Sequence, residues 1–210
     1  MTTIAVVDYG MGNLRSVAKA IEHVAPEFRV VISSSAREIA SADRVVFPGQ
    51  GAARDCMANL QSYDLSEAVL AAFNTKPFLG ICMGLQVLFE SSDENGGVQC
   101  LGCVGGSVSR FTRAQGDEHF KIPHMGWNEV SQSTAHPLWN KIEDCARFYF
   151  VHSYYVRPED PDIVSGRTSY LGDFCSSIAK DNVFATQFHP EKSAANGLQL
   201  LKNFSEWQPR

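Results

Sequence analysis

Four short, largely apolar runs, each closed by turn-forming residues, constrain this chain more than any other feature. They are Ile4-Ala5-Val6-Val7, Phe28-Arg29-Val30-Val31-Ile32, Arg44-Val45-Val46-Phe47 and Pro77-Phe78-Leu79-Gly80-Ile81. Helical patterns stand between them. Leu14, Val17, Ala18, Ile21 and Val24 recur at helical spacing and stop near Pro26; residues 64 to 74 read as a second helix, and Leu85 to Glu90 begins another. Strands that are apolar on both faces and alternate with helices belong in a parallel sheet covered on both sides. With 210 residues, 44% of them hydrophobic and 20% charged, the chain can bury a full core in one domain without covalent staples. The expected fold class is therefore α/β, a three-layer open, mostly parallel sheet with helices on both faces. Beyond residue 96 the texture changes. Ser107 to Phe111, Trp127 to Val130, Phe148 to Val156, Ile163 to Tyr170 and Val183 to Phe188 read as strands with short turns, an antiparallel β extension. An amphipathic helix carrying Leu198, Leu201, Phe204 and Trp207 closes the chain. No repeat, linker or low-complexity stretch interrupts it, so residues 1–210 read as a single domain.

The formal charge of −5 comes with no basic stripe, which argues against nucleic acid as a partner. No apolar run approaches the roughly 20 residues of a membrane-crossing helix. The N-terminal residues lack the basic region and cleavage site of a signal peptide. Six cysteines, Cys56, Cys82, Cys100, Cys103, Cys145 and Cys175, then read as reduced thiols of a cytoplasmic protein. Cys100 and Cys103 form one C-x-x-C. Zinc would require two further ligands at similar spacing, so the pair reads as loop or core packing, and no metal is expected. His23, His119 and His136 read as surface or loop residues.

The sharpest local feature is Gly80-Ile81-Cys82-Met83-Gly84. A nucleophile on a tight strand-to-helix turn adopts a strained backbone, and side chains two positions away on either side would crowd it. Such a turn exposes the sulfur at the carboxyl edge of the sheet and sets it at a helix N-terminus, where partial positive charge favours thiolate. The competing reading is a buried structural cysteine beside packing glycines. A nucleophilic cysteine also needs a base and a group to orient it. His189 ends an apolar strand, and Pro190 turns the chain so that Glu191 returns beside the ring. Pro48-Gly49-Gln50-Gly51, after the third strand, is a glycine-rich turn able to aim backbone N–H groups at an oxyanion. Taken alone, it is also an ordinary strand-to-helix turn.

Together, Gly80-Ile81-Cys82-Met83-Gly84-Leu85-Gln86, Pro48-Gly49-Gln50-Gly51 and His189-Pro190-Glu191 resemble the three signatures of the class I (triad) glutamine amidotransferases. The blocks Asp8 to Leu14, Ile122 to Asn128, Phe148 to Tyr154 and Pro190 to Ser193 narrow the resemblance to the branch that serves imidazole glycerol phosphate synthases. The resemblance implies a flavodoxin-like sheet and a Cys82, His189, Glu191 triad. It implies oxyanion donors from Gly49, Gln50 and Met83, and glutamine binding by Gly51, Gln86, Glu94, Ser153 and Tyr154. It also implies a (β/α)8 cyclase subunit as heterodimer partner, receiving ammonia across a face with Asn13, Trp127, Tyr149 and Lys192, and no cofactor. Trp127 and Tyr149 read equally as core aromatics and Lys192 as a solvated charge. The chain departs from the family at Gln50, where a small aliphatic residue is usual. A side chain that bonds locally there would shift a turn whose reorientation gates activity, so weak basal glutaminase activity with strong activation by partner and nucleotide is expected. A glutaminase or paralogue serving another ammonia acceptor, a stand-alone γ-glutamyl hydrolase and an inactive binding module are the alternatives. His124 and His152 fall inside the family blocks, but a triad needs only one base.

Overall fold

The computed structural model describes residues 1–114, 116 and 119–209. The first part of the chain comprises β1 (Thr3–Val7), α1 (Leu14–Val24), β2 (Arg29–Ser33), α2 (Ala36–Ser41), β3 (Arg44–Gly49), α3 (Ala53–Ser62), α4 (Ser66–Thr75), β4 (Phe78–Cys82) and the single turn α5 (Met83–Gln86). It continues through β5 (Phe89–Ser92), β6 (Val98–Gln99), β7 (Val104–Arg110), β8 (His124–Gln132), β9 (Ala146–His152), β10 (Tyr154–Pro158), β11 (Val164–Ser169), β12 (Asp173–Lys180) and β13 (Val183–Thr186). Helix α6 (Ala194–Glu206) follows.

Strands β2-β1-β3-β4-β13 lie side by side and all run parallel. This is the doubly wound order, in which ligands bind in the crevice outside the carboxyl ends of the strands. β12 pairs antiparallel with β13 and begins the extension, continued by β10, β7, β5 and β6; β11 branches from β12 and carries β8, with β9 beyond. Alternation along the strands sends side chains into two cores. Val7, Val45, Phe47 and Phe78 face α2, α3 and α4 through Ile39, Leu60, Val69 and Phe73. Ile4, Val6, Val46, Leu79 and Ile81 face α1 and α6 through Val17, Ile21, Leu200 and Phe204. Each fully buried Phe or Ile contributes about 2–3 kcal/mol by removal from water, and this two-sided burial explains the apolar runs Ile4–Val7 and Phe78–Ile81, whereas edge strand β2 is only partly covered.

Some expectations are corrected. The helix expected from Leu85 to Glu90 is one turn ending at Gln86, and Phe89–Ser92 is a strand. Leu85, Val87, Leu88 and Phe89 are all fully buried, a run that suits a covered strand better than a one-faced helix. The run from Phe148 to Val156 is two strands, broken at Ser153. Helices α2 and α3 and strand β12 are additional. His136 lies in the loop after β8, as one of the two expected placements; it is half-buried, its ring accepts the Leu138 N–H, and it packs on Phe184 and Trp207. Cys100 and Cys103 pack, partly buried, against the core under α3 and α4, where burial pushes both thiols up to about 11.

Candidate active site

The carboxyl ends of the parallel strands bring the candidate residues together. Cys82 is the last residue of β4 and caps α5 with φ 56° and ψ −106°, a conformation that costs a non-glycine residue about 1–3 kcal/mol. The flanking glycines make the turn possible. A Cβ on Gly84 would collide with the carbonyl oxygen of Phe47 on β3, and one on Gly80 would meet Ala185 on β13 and the Gly84 carbonyl. Because α5 is a single turn, the axial field expected from a full helix shrinks to that of one turn, and the nucleophile depends more on its neighbouring base.

The candidate base arrives on the adjacent strand. β13 pairs with β4 in register, Thr186 opposite Ile81, and the chain continues through Gln187 and Phe188 to His189. The His189 backbone is held from both sides: its N–H donates to Tyr149 O at 2.9 Å, and its carbonyl accepts from Ser193 Oγ at 2.6 Å. Pro190–Lys192 forms one 3-10 turn, which returns Glu191 so that His189 Nδ1 lies 2.8 Å from Glu191 Oε1, both side chains buried. Among the described residues, buried Nε2 has no hydrogen-bond partner, and neither has Glu191 Oε2. Burial opposes charge on this ring, but the neighbouring Cys82 sulfur and the Glu191 carboxylate outweigh it, and the imidazole is pushed up to about 10. The imidazolium is thus favoured beside the sulfur, the state that can protonate an amine leaving group.

Across the other edge of β4, Gly49 is in register with Cys82, so the Pro48–Gly51 turn stands directly beside the nucleophile. A Cβ on Gly49 would run into Tyr9 Oη and Met83 Cβ. Fully buried Tyr9 donates to Pro48 O at 3.0 Å and lies 3.7 Å from Cys56 Sγ; Cys56 Sγ donates to Gln50 O at 3.6 Å. Burial pushes the Cys56 thiol up to about 12, so it keeps the proton it donates. Tyr9 and Cys56 therefore brace the turn from below. Nothing in the local spacing of Cys56 signalled this role.

A cavity of about 440 Å³ opens over Cys82, Met83 and His189. Gln50, Gly51, Gln86, Glu94, Ser153 and Tyr154 line it, with Pro123, Val151, His152 and Lys192. Gln86 is buried; its Nε2 donates to Tyr154 O and Gln187 Oε1, both at 3.0 Å, while its buried Oε1 has no partner among the described residues. Gln187 Nε2 in turn lies 3.7 Å from Cys82 Sγ, a contact the sequence reading did not assign. Glu94 Oε2 accepts the Ala53 N–H at 2.7 Å at the head of α3. Gln86 and Glu94 thus bring an amide and a carboxylate to the cavity wall, functions suited to an amino-acid amide. At its rim, Tyr149 packs edge-on to Trp127 at 6.3 Å between ring centroids, and Lys192 Nζ sits 6.0 Å over the Tyr149 ring. Trp127 is 45% exposed and Met125 62%; neither is a core residue. Asn13 stands half-buried at the head of α1 and takes no part in these ring contacts.

The family model for glutamine amidotransferase class-I matches residues 5–207. The chain is 59% identical to "Imidazole glycerol phosphate synthase subunit HisH" of Thiobacillus denitrificans, over 98% of this chain and 92% of that protein. It is 55% identical to the subunit so named from Nitrosococcus oceani, over 99% and 98%, and 54% identical to "Imidazole glycerol phosphate synthase subunit HisH 1" of Pseudomonas aeruginosa, over 100% and 99%. Among solved structures, one described as a glutamine amidotransferase superposes with a TM-score of 0.70 at 17% identity, over 96% of this chain and 97% of that one. The CTPS glutaminase domain of Trypanosoma brucei with bound acivicin gives 0.66 at 16%, over 100% and 96%. At those identities the structures support the shared fold alone.

Proposed function

The chain belongs to the class I glutamine amidotransferase family, and on that premise we propose that it is the glutaminase subunit of an imidazole glycerol phosphate synthase. It forms a single domain over residues 1–210 that hydrolyses glutamine to glutamate and ammonia. The observation that carries this reading is the buried Cys82, His189, Glu191 constellation, in which Cys82 and His189 line the cavity and Glu191 holds His189 from behind. His189 takes the Cys82 thiol proton, the thiolate attacks the side-chain amide carbon, and N–H groups of Gly49, Gln50 and Met83 meet the oxyanion. The His189 imidazolium gives its proton to the nitrogen, and the C–N bond breaks to release ammonia. Water, deprotonated by the now neutral His189, opens the γ-glutamyl thioester, releasing glutamate and restoring the thiol. Glu191 holds the ring throughout. Gly51, Gln86, Glu94, Ser153 and Tyr154 bind the glutamine.

Ammonia passes to a (β/α)8 cyclase subunit docked as a heterodimer on the face with Asn13, Trp127, Tyr149 and Lys192. The cyclase makes imidazole glycerol phosphate and aminoimidazole carboxamide ribotide, the lyase step of histidine biosynthesis, in the cytoplasm. The exposed Met125 and Trp127 beside the cavity rim support docking there, as aromatic anchors dominate such interfaces. The test is glutamate release from glutamine by the chain alone, with a cyclase subunit, and with cyclase plus its nucleotide, against Cys82→Ala. Release only in the full mixture, absent in the variant, is expected. Equal release by the isolated chain would overturn the gating, and turnover of γ-glutamyl peptides without a partner would replace the amidotransferase reading by a hydrolase.

A further inference from the structure

Two buried histidines that take no part in the triad lie in an unbroken line of hydrogen bonds. His124 begins β8 and stands opposite His152, the last residue of β9. Their rings meet through His124 Nδ1 and His152 Nε2 at 2.9 Å. His152 Nδ1 lies 2.8 Å from the carbonyl oxygen of Tyr154, and Asn128 Nδ2 lies 3.2 Å from His124 Nε2. The Tyr154 carbonyl is the same one that accepts Gln86 Nε2 at 3.0 Å.

The proton positions follow from the carbonyl end. A carbonyl only accepts, so His152 Nδ1 carries hydrogen and donates. In a neutral ring Nε2 then accepts, and the hydrogen between the rings belongs to His124 Nδ1. His124 Nε2 in turn accepts from Asn128, whose amide group also donates to Ser169 O at 3.1 Å. Burial pushes His152 down to about 3 and His124 to about 4, so both rings are neutral near neutrality. Every link has a donor and an acceptor, and none is duplicated.

The line crosses the break at Ser153, between β9 and β10. There Ser153 and Tyr154 turn into the cavity, and the His152 ring bridges the break to the carbonyl two residues on. We propose that His152, oriented by His124, is a positioning residue: it fixes the Tyr154 carbonyl, and through it the Gln86 amide in the wall of the substrate cavity. The substrate class is an amino-acid amide, and this part rests on the glutaminase reading. The strand that starts the line also carries Met125 and Trp127 on its exposed side, so a partner pressed onto β8 acts on the same series of bonds that ends at Gln86.

A ring that only filled space would be replaceable by an apolar side chain, since His124 and His152 sit among Phe111, Phe150 and Phe174. The experiment uses the full chain in complex with a cyclase subunit and nucleotide, comparing wild type, His152→Leu and His152→Asn. His152→Leu keeps the packing and removes the donor; His152→Asn keeps a donor near the Nδ1 position. Expected are a KM for glutamine raised about fivefold in His152→Leu, the worth of one ordinary hydrogen bond, with kcat within about twofold, and a KM restored to within about twofold in His152→Asn. An unchanged KM in His152→Leu, or a folded His152→Asn as impaired as His152→Leu, overturns the proposal.

Long-range proton–nitrogen NMR correlations on the 15N-histidine-labelled wild-type chain give a second readout independent of activity. Both rings are expected neutral and protonated on Nδ1 at neutral pH. A His152 protonated on Nε2, or charged, overturns the proposal even where His152→Leu fails to fold. Wild type that turns over no glutamine in the complex refutes the glutaminase reading, and the NMR spectrum then decides the histidine line by itself.

Discussion

Replacing Glu191 by glutamine keeps the shape of the His189–Glu191 contact and removes only its charge. In the wild type the 2.8 Å bond from Nδ1 to Oε1 joins two buried side chains, where a charge-assisted bond is worth about 1.5–3 kcal/mol and a neutral one about 1. The difference, about 1.5 kcal/mol, corresponds to roughly tenfold in rate if it is felt in the transition state that needs imidazolium. The sign of the pH effect follows from the balance on the ring. Burial disfavours its charge, while Cys82 and Glu191 together raise it to about 10. Such a raised value stabilises the folded chain fully below the unfolded value of about 6.5 and loses that contribution as pH rises through about 10. Without the carboxylate the ring gives up its proton earlier, so the basic limb of kcat/KM moves down by about one pH unit. The assay is glutamate release in the presence of saturating cyclase and nucleotide, from about pH 6 to about pH 10. A Glu191→Gln enzyme within twofold of wild type, with an unmoved basic limb, would refute the assignment of Glu191 as the group that holds His189 charged.

Gly84→Ala drives a methyl into the Phe47 carbonyl; a loss of about 3 kcal/mol, or roughly 6–12 °C in Tm, is expected by calorimetry, and an unchanged Tm would show the elbow is looser than described. Tyr9→Phe strips the donor from the Pro48 carbonyl, costing about 1–2 kcal/mol; hydrogen exchange at Gly49, Gln50 and Gly51 should quicken, and unchanged protection would mean Tyr9 does not brace the turn. Trp127→Ala, at an exposed position, should weaken cyclase binding about 30-fold by titration calorimetry with Tm held within about 2 °C; wild-type affinity would move the partner face elsewhere.

The parallel half of the fold was legible because its strands are buried on both faces, so Ile4–Val7 and Phe78–Ile81 are apolar without interruption. Helix α3 was not, since its buried positions are Ala53, Cys56 and Leu60, too small and too few to stand out as a stripe. Helix α2 left a different trace: Ser35 and Glu38 form the start signal Ser-x-x-Glu, and Ser35 Oγ accepts the Glu38 N–H at 3.4 Å. Strand β12 mixes Ser176 and Ser177 with Phe174 and Ile178, and its polarity hid it. At the site, the triad residues stand in recognisable local patterns. The histidine line does not, because His124, His152 and Gln86 are distant in sequence and their relation exists only once β8, β9 and α5 are packed.

The position of β13 has a consequence for synthesis of the chain. Its two neighbours, β4 and β12, both precede it in sequence, so β13 is inserted between strands made earlier and closes the sheet like a keystone. Until it emerges, one edge of β4 lacks its partner, and that strand ends in Cys82. Unpaired strand edges on incomplete chains invite aggregation, and pairings between segments half a chain apart form slowly. On the proposed mechanism, the same order of events protects glutamine: the Cys82 thiol has no base until His189 arrives with the final strand. An abortive product ending before β13 is therefore inert as an enzyme and hazardous as a protein, one for quality control to remove rather than a partly active glutaminase.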